Sequence, residues 1–214
     1  STMLQLTAIQ KSFGSHHVFS IDNLHLPNGI YWLKGANGSG KSTLMNLIAG
    51  LLPFKGDILL NQKISIHQQP VDYRALVNHS AAEPIYPSFL TGNELVEFIG
   101  TVKKGTTQQI KEVKEILNID NYLANPTGSY SSGMLKKLSL LTAFIGTPAR
   151  ILLDEPFTTL DHASQSALCK LIRQKHGQGI SFIITSHHDI ETSDISFSKI
   201  FTLKDKRLHE TIPG

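Results

Sequence analysis

Apolar and polar positions alternate through MLQLTAIQKSF (residues 3–13), HVFSIDNLHL (17–26) and GIYWLKG (29–35), the period-two pattern of half-buried strands. The turn-like GSHH divides the first two, and Pro27, Asn28 and Gly29 introduce the third. After a glycine-rich loop, KSTLMNLIAGLL (41–52) carries apolar residues at helical spacing up to a stop at Pro53. GDILLNQKISI (56–66) reads as a further strand pair. From about Pro84 to Ile145 the spacing turns helical: TGNELVEFIG, the Ile110, Val113, Ile116 and Leu117 stripe of QQIKEVKEILNI, and MLKKLSLLTAFIG. ARILLDE and GISFIITS are short apolar runs of the kind that fill buried parallel strands, with a helix expected over about 162–175 between them and KIFTLKD as the last strand.

Strand alternating with helix predicts an α/β core, and 214 residues of which 40% are apolar suffice for one sizeable domain. We expect it to span residues 3–214, with a core lobe of about 3–82 and 146–214 and a helical lobe of about 83–145. Ser1 and Thr2 precede Met3 and read as residues left by expression. Lysine plus arginine number 20 against 17 aspartate plus glutamate, and a net charge of +3 is too small to argue for nucleic acid by bulk attraction. A phosphate-bearing small ligand needs no more. Cys169 is alone, which excludes an internal disulfide, and its neighbours Leu168, Leu171 and Ile172 predict a packed thiol in a reducing compartment. No uncharged apolar run approaches the ~18 residues that cross a bilayer, and the N-terminus lacks the layout of a secretory signal, so a soluble protein is expected.

Two stretches carry chemistry. GANGSGKST, Gly35 to Thr43, matches GxxxxGK[ST] between a strand and a helix. Its glycines let successive backbone N–H groups curl into an anion nest beside a helix start, Lys41 reaches β and γ phosphates, and the Ser42 hydroxyl can coordinate Mg²⁺. ILLDE supplies a second ligand to the metal, because a buried strand ending in Asp154 holds that carboxylate rigidly. Adjacent acids repel, so a metal-binding Asp154 beside a water-activating Glu155 explains the pair better than structure does.

With these motifs placed, YSSGM (130–134) ahead of ILLDEP resembles the signature sequence of the ATP-binding cassette (ABC) ATPases, usually LSGGQ. Ser131 and Gly133 match it, while Tyr130, Ser132 and Met134 depart from it. The resemblance spans Leu4 to about Leu208 and implies a P-loop NTPase fold of the ABC ATPase type: a RecA-like parallel sheet core, an N-terminal antiparallel β-subdomain and an inserted α-helical subdomain. It implies that Ser131, Ser132 and Gly133 cap a helix aimed at the γ-phosphate held by a second ABC subunit. Phe13 resembles the aromatic that stacks on adenine. Asp161, ending TTLD, is similar to the acid of the loop that follows the catalytic Glu155 and contacts the partner, and ITSHHD puts His187 at the position that touches γ-phosphate and water. His188 is then a neighbour, and neither it with His187 nor His16 with His17 is read as a metal site, since adjacent strand-end residues point apart. The family's metal-sensing glutamine has no counterpart in SAAEPIYPSFLTGNEL; Glu83 is our choice for that role, with Ala82 an equally tidy alignment and Gln68 and Gln69 too early.

The resemblance thus implies a nucleotide site built from Phe13, the loop residues Gly35, Asn37, Gly38, Ser39, Gly40, Lys41, Ser42 and Thr43, the catalytic Glu155 and His187 with Lys41, a Mg²⁺ site of Ser42, Asp154 and Glu83, and Asp161 with the signature at the dimer contact. It implies an ATPase that dimerises head to tail, as a homodimer or heterodimer, around two MgATP. It favours the ATP-binding subunit of a transporter, of the second general exporter type, held at the cytoplasmic face of the cell membrane by an integral membrane subunit. Tyr86, Phe89, Leu90 and Phe98 lie where an apolar docking surface would be, and a plain lobe core explains them as well. A soluble ABC clamp is the rival; the span from Lys41 to Ser131 leaves no room for a long coiled coil, and a second cassette is not present. Intact Glu155 and His187 disfavour a binding protein that no longer hydrolyses ATP.

Overall fold

The structure is a computed structural model that describes residues 3–119, 121–190 and 194–211; Ser1 and Thr2 lie outside them. The opening alternation becomes β1 (Met3–Phe13) and β2 (His16–Pro27), an antiparallel pair with an irregularity between Lys11 and Ser12. With β4 (Lys55–Leu60) and β5 (Ile64–Ser65) they form a four-stranded antiparallel sheet ordered β2-β1-β4-β5. β3 (Ile30–Lys34) leaves this layer and enters a second sheet, followed by α1 (Lys41–Ile48). Helix α1 ends before Pro53: Ala49 is its C-cap and Gly50 takes φ 81, so Leu51 and Leu52 lie beyond it.

α2 (Pro70–Ala75), β6 (Val77–Ser80), α3 (Gly92–Lys103), α4 (Thr107–Ile116) and α5 (Ser132–Ala143) come next. Then follow β7 (Arg150–Leu153), α6 (His162–Gly177), β8 (Ser181–Ser186), β9 (Lys199–Lys204) and β10 (Arg207–Thr211). KIFTLKD is therefore not the last strand, since a two-residue turn with positive φ at Asp205 and Lys206 returns the chain antiparallel as β10. The second sheet has the order β10-β9-β3-β8-β7-β6 and is parallel from β9 to β6.

This sheet is covered on both faces, which explains its continuous apolar runs. Along β7 and β8, Leu152 and Ile183 point to one side, while Ile151, Leu153, Phe182 and Ile184 point to the other. On the first side Leu44, Met45, Leu47 and Ile48 of α1 pack together with Leu4, Leu6, Ile58 and Leu60 of the antiparallel sheet. On the second, Leu138, Leu140 and Leu141 of α5 join Leu168, Leu171 and Ile172 of α6 and Val113 of α4. Cys169 is buried in that cluster, where desolvation pushes its thiol up to about 11. Helix α3 starts from a capping box, Thr91 Oγ1 accepting the Glu94 N–H at 3.1 Å and Glu94 accepting the Thr91 N–H at 3.0 Å.

Asn78, buried in β6, donates its amide to the carbonyls of Ala143 and Ile145, both at 2.8 Å, and so fastens the end of α5 to the sheet. Asn78→Leu keeps the branched skeleton and deletes both bonds. It should cost about 2–4 kcal/mol of unfolding free energy, read as a lower urea midpoint at unchanged slope.

Candidate functional site

The carboxyl ends of β3, β8, β7 and β6 come level, with Lys34 opposite Ser186, Leu153 opposite Ile184 and Ser80 opposite Leu153. Each chain segment leaving these ends carries residues singled out in the sequence, in the crevice where open parallel sheets hold their ligands. Beyond β3, the loop Gly35–Gly40 turns with φ 80 at Gly38 and 107 at Gly40. A side chain at Gly40 would also meet Val18, Phe19 and Leu203 at 3.1–3.3 Å, so glycine is required there on two counts. Lys41 opens α1 with 6% of its surface exposed, and its ammonium donates to the Gly35 carbonyl at 2.5 Å and the Ala36 carbonyl at 3.2 Å. Ser42 is exposed in the first turn, with Thr43 beside it. Inside the loop the Ser39 hydroxyl is buried without a hydrogen-bond partner.

Beyond β7, Asp154 is 2% exposed and accepts a bond from the Thr185 hydroxyl at 2.5 Å. That hydroxyl oxygen accepts the Glu155 N–H at 2.8 Å, so one threonine joins the two neighbouring acids. Glu155 itself has φ 47, the left-handed region. Its carboxylate lies 2.8 Å from His187 Nδ1 and 3.8 Å from Lys41 Nζ. His187 follows β8 with its ring tilted 46° to that of His188 at 3.9 Å between centroids, and Asp189, two residues on, pairs with Lys34 at 2.9 Å. The hydrogen bond from Lys34, and then its positive charge, hold the Asp189 carboxyl below the usual carboxylate range.

A cavity of about 990 Å³ is lined by Phe13, Asn37, Gly38, Gly40, Lys41, Ser42, Thr43, Glu83, Ser132, Asp154, Glu155 and His187. The sequence-derived residues thus largely converge on one space. Phe13 is half exposed at its rim, with Lys11 Nζ 4.6 Å over the ring. Gly35, Ser39, Ser131, Gly133 and Asp161 do not line it. Ser131 caps α5, its hydroxyl accepting the Met134 N–H at 3.2 Å. A side chain at Gly133 would come within 3.0 Å of the Thr159 carbonyl. Asp161 caps α6 through the Ser164 N–H at 2.7 Å, and its bonds to Ser164 lower its carboxyl pKa. Gln69 bonds the Ser65 N–H at the start of α2, and neither it nor Gln68 reaches the cavity.

Three features lay outside the sequence reading. Thr185 links the two acids, and Lys136, 2% exposed on α5, donates to the carbonyls of Ala82 at 2.5 Å and Glu155 at 3.0 Å. Tyr130, at the first departure from the usual signature, is buried edge-on to Tyr122; its hydroxyl accepts the Gly92 N–H at 3.2 Å and donates to the Tyr122 carbonyl at 2.9 Å. The four apolar residues weighed for docking divide. Tyr86 packs against the second core cluster and Leu90 is half-buried, whereas Phe89 and Phe98 are 79% and 64% exposed; Ile85, outside that set, is 91% exposed.

The sequence profile described as "ABC transporter" matches residues 22–158. The chain belongs to the ABC transporter family. It is 30% identical to the cytochrome c biogenesis ATP-binding export protein CcmA of Legionella pneumophila, covering 92% of this chain and 98% of that one. Against the lantibiotic transport ATP-binding protein SrtF of Streptococcus pyogenes the identity is 26%, over 86% and 80% of the two chains. A second profile, "AAA domain, putative AbiEii toxin, Type IV TA system", matches residues 124–193. The solved ATP-binding subunit of an ABC transporter superposes with a TM-score of 0.87 at 20% identity, over 98% of this chain and 89% of that one. A nucleotide-free ATP-binding cassette of an ABC transporter gives 0.78 at 19% identity, over 98% and 91%. The fold is that of ABC ATPase subunits, a parallel core with an antiparallel sheet beside it, and this ABC chain carries the family's ATP-binding domain.

Thr185→Val preserves shape and strands the Asp154 carboxylate and the Glu155 N–H together. A loss of about 2–4 kcal/mol in urea unfolding is expected, and Thr185→Ser, which keeps the hydroxyl, should recover most of it.

Proposed function

We propose that the chain is the ATP-hydrolysing subunit of an exporter, closing head to tail with a second ABC subunit around two MgATP and driving a separate membrane subunit. The observation that carries this reading is the meeting of Lys41, Asp154, Glu155 and His187 at the level ends of parallel strands, with the Glu155 carboxylate 2.8 Å from His187. In phosphoryl transfer to water, positioning and neutralisation of spreading charge supply most of the catalysis. The backbone N–H groups of the Gly35–Gly40 loop and the start of α1 receive phosphate oxygens, and Lys41 swings from its own loop carbonyls to the β and γ phosphates. Glu155 accepts the proton of the attacking water, while His187 orients that carboxylate and contacts the γ-phosphate. Phe13 offers its exposed face to adenine.

The residues present suit both groups. The buried Ser39 hydroxyl without a protein partner lies in the loop that would surround a phosphate. Ser42 and Asp154 offer hard oxygen ligands, and among the described residues no group of three His, Cys, Asp or Glu could hold a metal by itself. That suits Mg²⁺, which keeps waters and phosphate oxygens in its shell. Glu83, exposed on the cavity wall, is proposed to complete the shell indirectly. When bound, the ion neutralises developing charge on the phosphate oxygens.

Ser131, Ser132 and Gly133, at the start of α5, are proposed to meet the nucleotide of the second subunit, with Asp161 beside that contact. Exposed Ile85, Phe89 and Phe98 are proposed to dock the membrane subunit at the cytoplasmic face of the cell membrane. None of the described helices is long and apolar enough to cross a membrane. The names of relatives described as export and transport ATP-binding proteins support that assignment. In terms of organisation, the proposed helical lobe of about 83–145 supplies both surfaces, and the core lobe supplies the phosphate site.

Glu155→Gln removes the proton acceptor and keeps the side chain's size. Turnover should fall by about 10²–10⁴-fold with ATP affinity retained, and the protein with ATP should elute as a dimer in size-exclusion chromatography. Turnover at the wild-type rate, or only monomers with ATP, would sink the reading.

A further inference from the structure

A left-handed backbone costs a non-glycine residue about 1–3 kcal/mol and persists only where its surroundings hold it. Glu155 is such a residue, with φ 47. Its N–H is taken by the Thr185 hydroxyl at 2.8 Å, and its carbonyl accepts from the Thr158 hydroxyl at 3.0 Å and from the Lys136 ammonium at 3.0 Å. Of these bonds the one from Lys136 is charge-assisted, the stronger class. Lys136 also donates to the Ala82 carbonyl at 2.5 Å. An ammonium only 2% exposed is costly to bury unless its bonds and neighbours repay the desolvation. Burial pushes the Lys136 pKa down from the ordinary lysine value, and Asp154, Glu155 and Glu83 draw it back up.

Position in the fold adds a second consequence. Lys136 lies one turn along α5 from the cap at Ser131, so the helix that presents the signature to a second subunit also grips the backbone of Glu155 in its own. The Ala82 carbonyl ties in the segment that leaves β6.

We propose that Lys136 is a positioning residue for ATP hydrolysis: its ammonium holds the Glu155 carbonyl, and so the backbone conformation that aims the Glu155 carboxylate at His187, and it links that conformation to the signature helix. This rests on the hydrolysis reading above. A lysine that merely stabilised α5 would, on removal, weaken the whole protein and nucleotide binding along with turnover. A positioning lysine separates kcat from KM.

The test is steady-state ATP hydrolysis by the full chain and its Lys136→Met and Lys136→Arg variants, with affinity measured by a fluorescent ATP analogue. For Lys136→Met, kcat should fall by about tenfold or more while KM and the analogue's Kd stay within about threefold, and Lys136→Arg, which keeps the charged donor, should restore most of the loss. Wild-type kcat in Lys136→Met overturns the assignment, as does a parallel loss of kcat and nucleotide affinity or an arginine variant no better than methionine. Should the methionine variant not fold, Lys136→Gln decides the question by the same split of kcat from KM. Absence of turnover in the wild-type chain would overturn the hydrolysis reading and this assignment with it, whereas active wild type with an indifferent Lys136 overturns the assignment alone.

Discussion

Parallel pairing from β6 through β7 and β8 to β3 controls where this chain can do chemistry, because it sets four strand ends side by side without help from any site residue. The register is enforced by burial on both faces. Leu152 and Ile183 fill one cluster, while Ile151, Leu153, Phe182 and Ile184 fill the other, and a slip of one residue along either strand would exchange the two sets. The positions of Asp154, His187 and the phosphate loop therefore follow from packing that lies behind them. Such a frame supplies the rigidity that electrostatic preorganisation needs, since donors and acids fixed beforehand need no rearrangement during reaction.

Within that frame, close placement of acids is made tolerable by a small network. Asp154 and Glu155 are consecutive, and without compensation their charges would oppose one another. The left-handed turn at Glu155 sends the second carboxylate toward His187 and Lys41, while Asp154 remains buried against the Thr185 hydroxyl. Thr185 serves both, as donor to the one and acceptor from the other. The strain in the turn and the direction of the carboxylate are thus one feature seen from two sides, as is common where backbone strain sits at functional positions.

How much of this was legible in the sequence depends on how local its cause is. The phosphate loop and ILLDE could be read because a strand, its turn and the residues beyond it are contiguous, and the strands of GISFIITS and ARILLDE announce themselves by continuous apolarity. β6 could not: VNHS holds one strongly apolar residue, and its partners Arg150–Leu153 are remote in sequence. β10 was equally hidden, as RLHET has exposed and partly exposed residues throughout and forms by edge pairing alone. Thr185 sat inside an apolar strand with nothing local to mark it. Lys136 left a fainter trace, being four residues before Leu140 and seven before Ala143 on a face that is otherwise buried, where a lysine needs a partner. The partners, however, are carbonyls, which sequence does not display.

The segment at Ala82 and Glu83 is a further case in which the contact runs through the main chain. Family resemblance leads one to look for a glutamine there that senses the site, and neither residue is one. In this chain the contact between that segment and the acids runs through the Ala82 carbonyl, which Lys136 holds together with the carbonyl of Glu155. A main-chain acceptor is supplied by every residue type, so position 82 is freed from any requirement for a polar side chain, and the demand moves to position 136, where a long cationic donor has to reach both oxygens. The two bonds of this lysine join the segments that leave β6 and β7 to α5, a link that becomes visible only when the three elements are seen packed together.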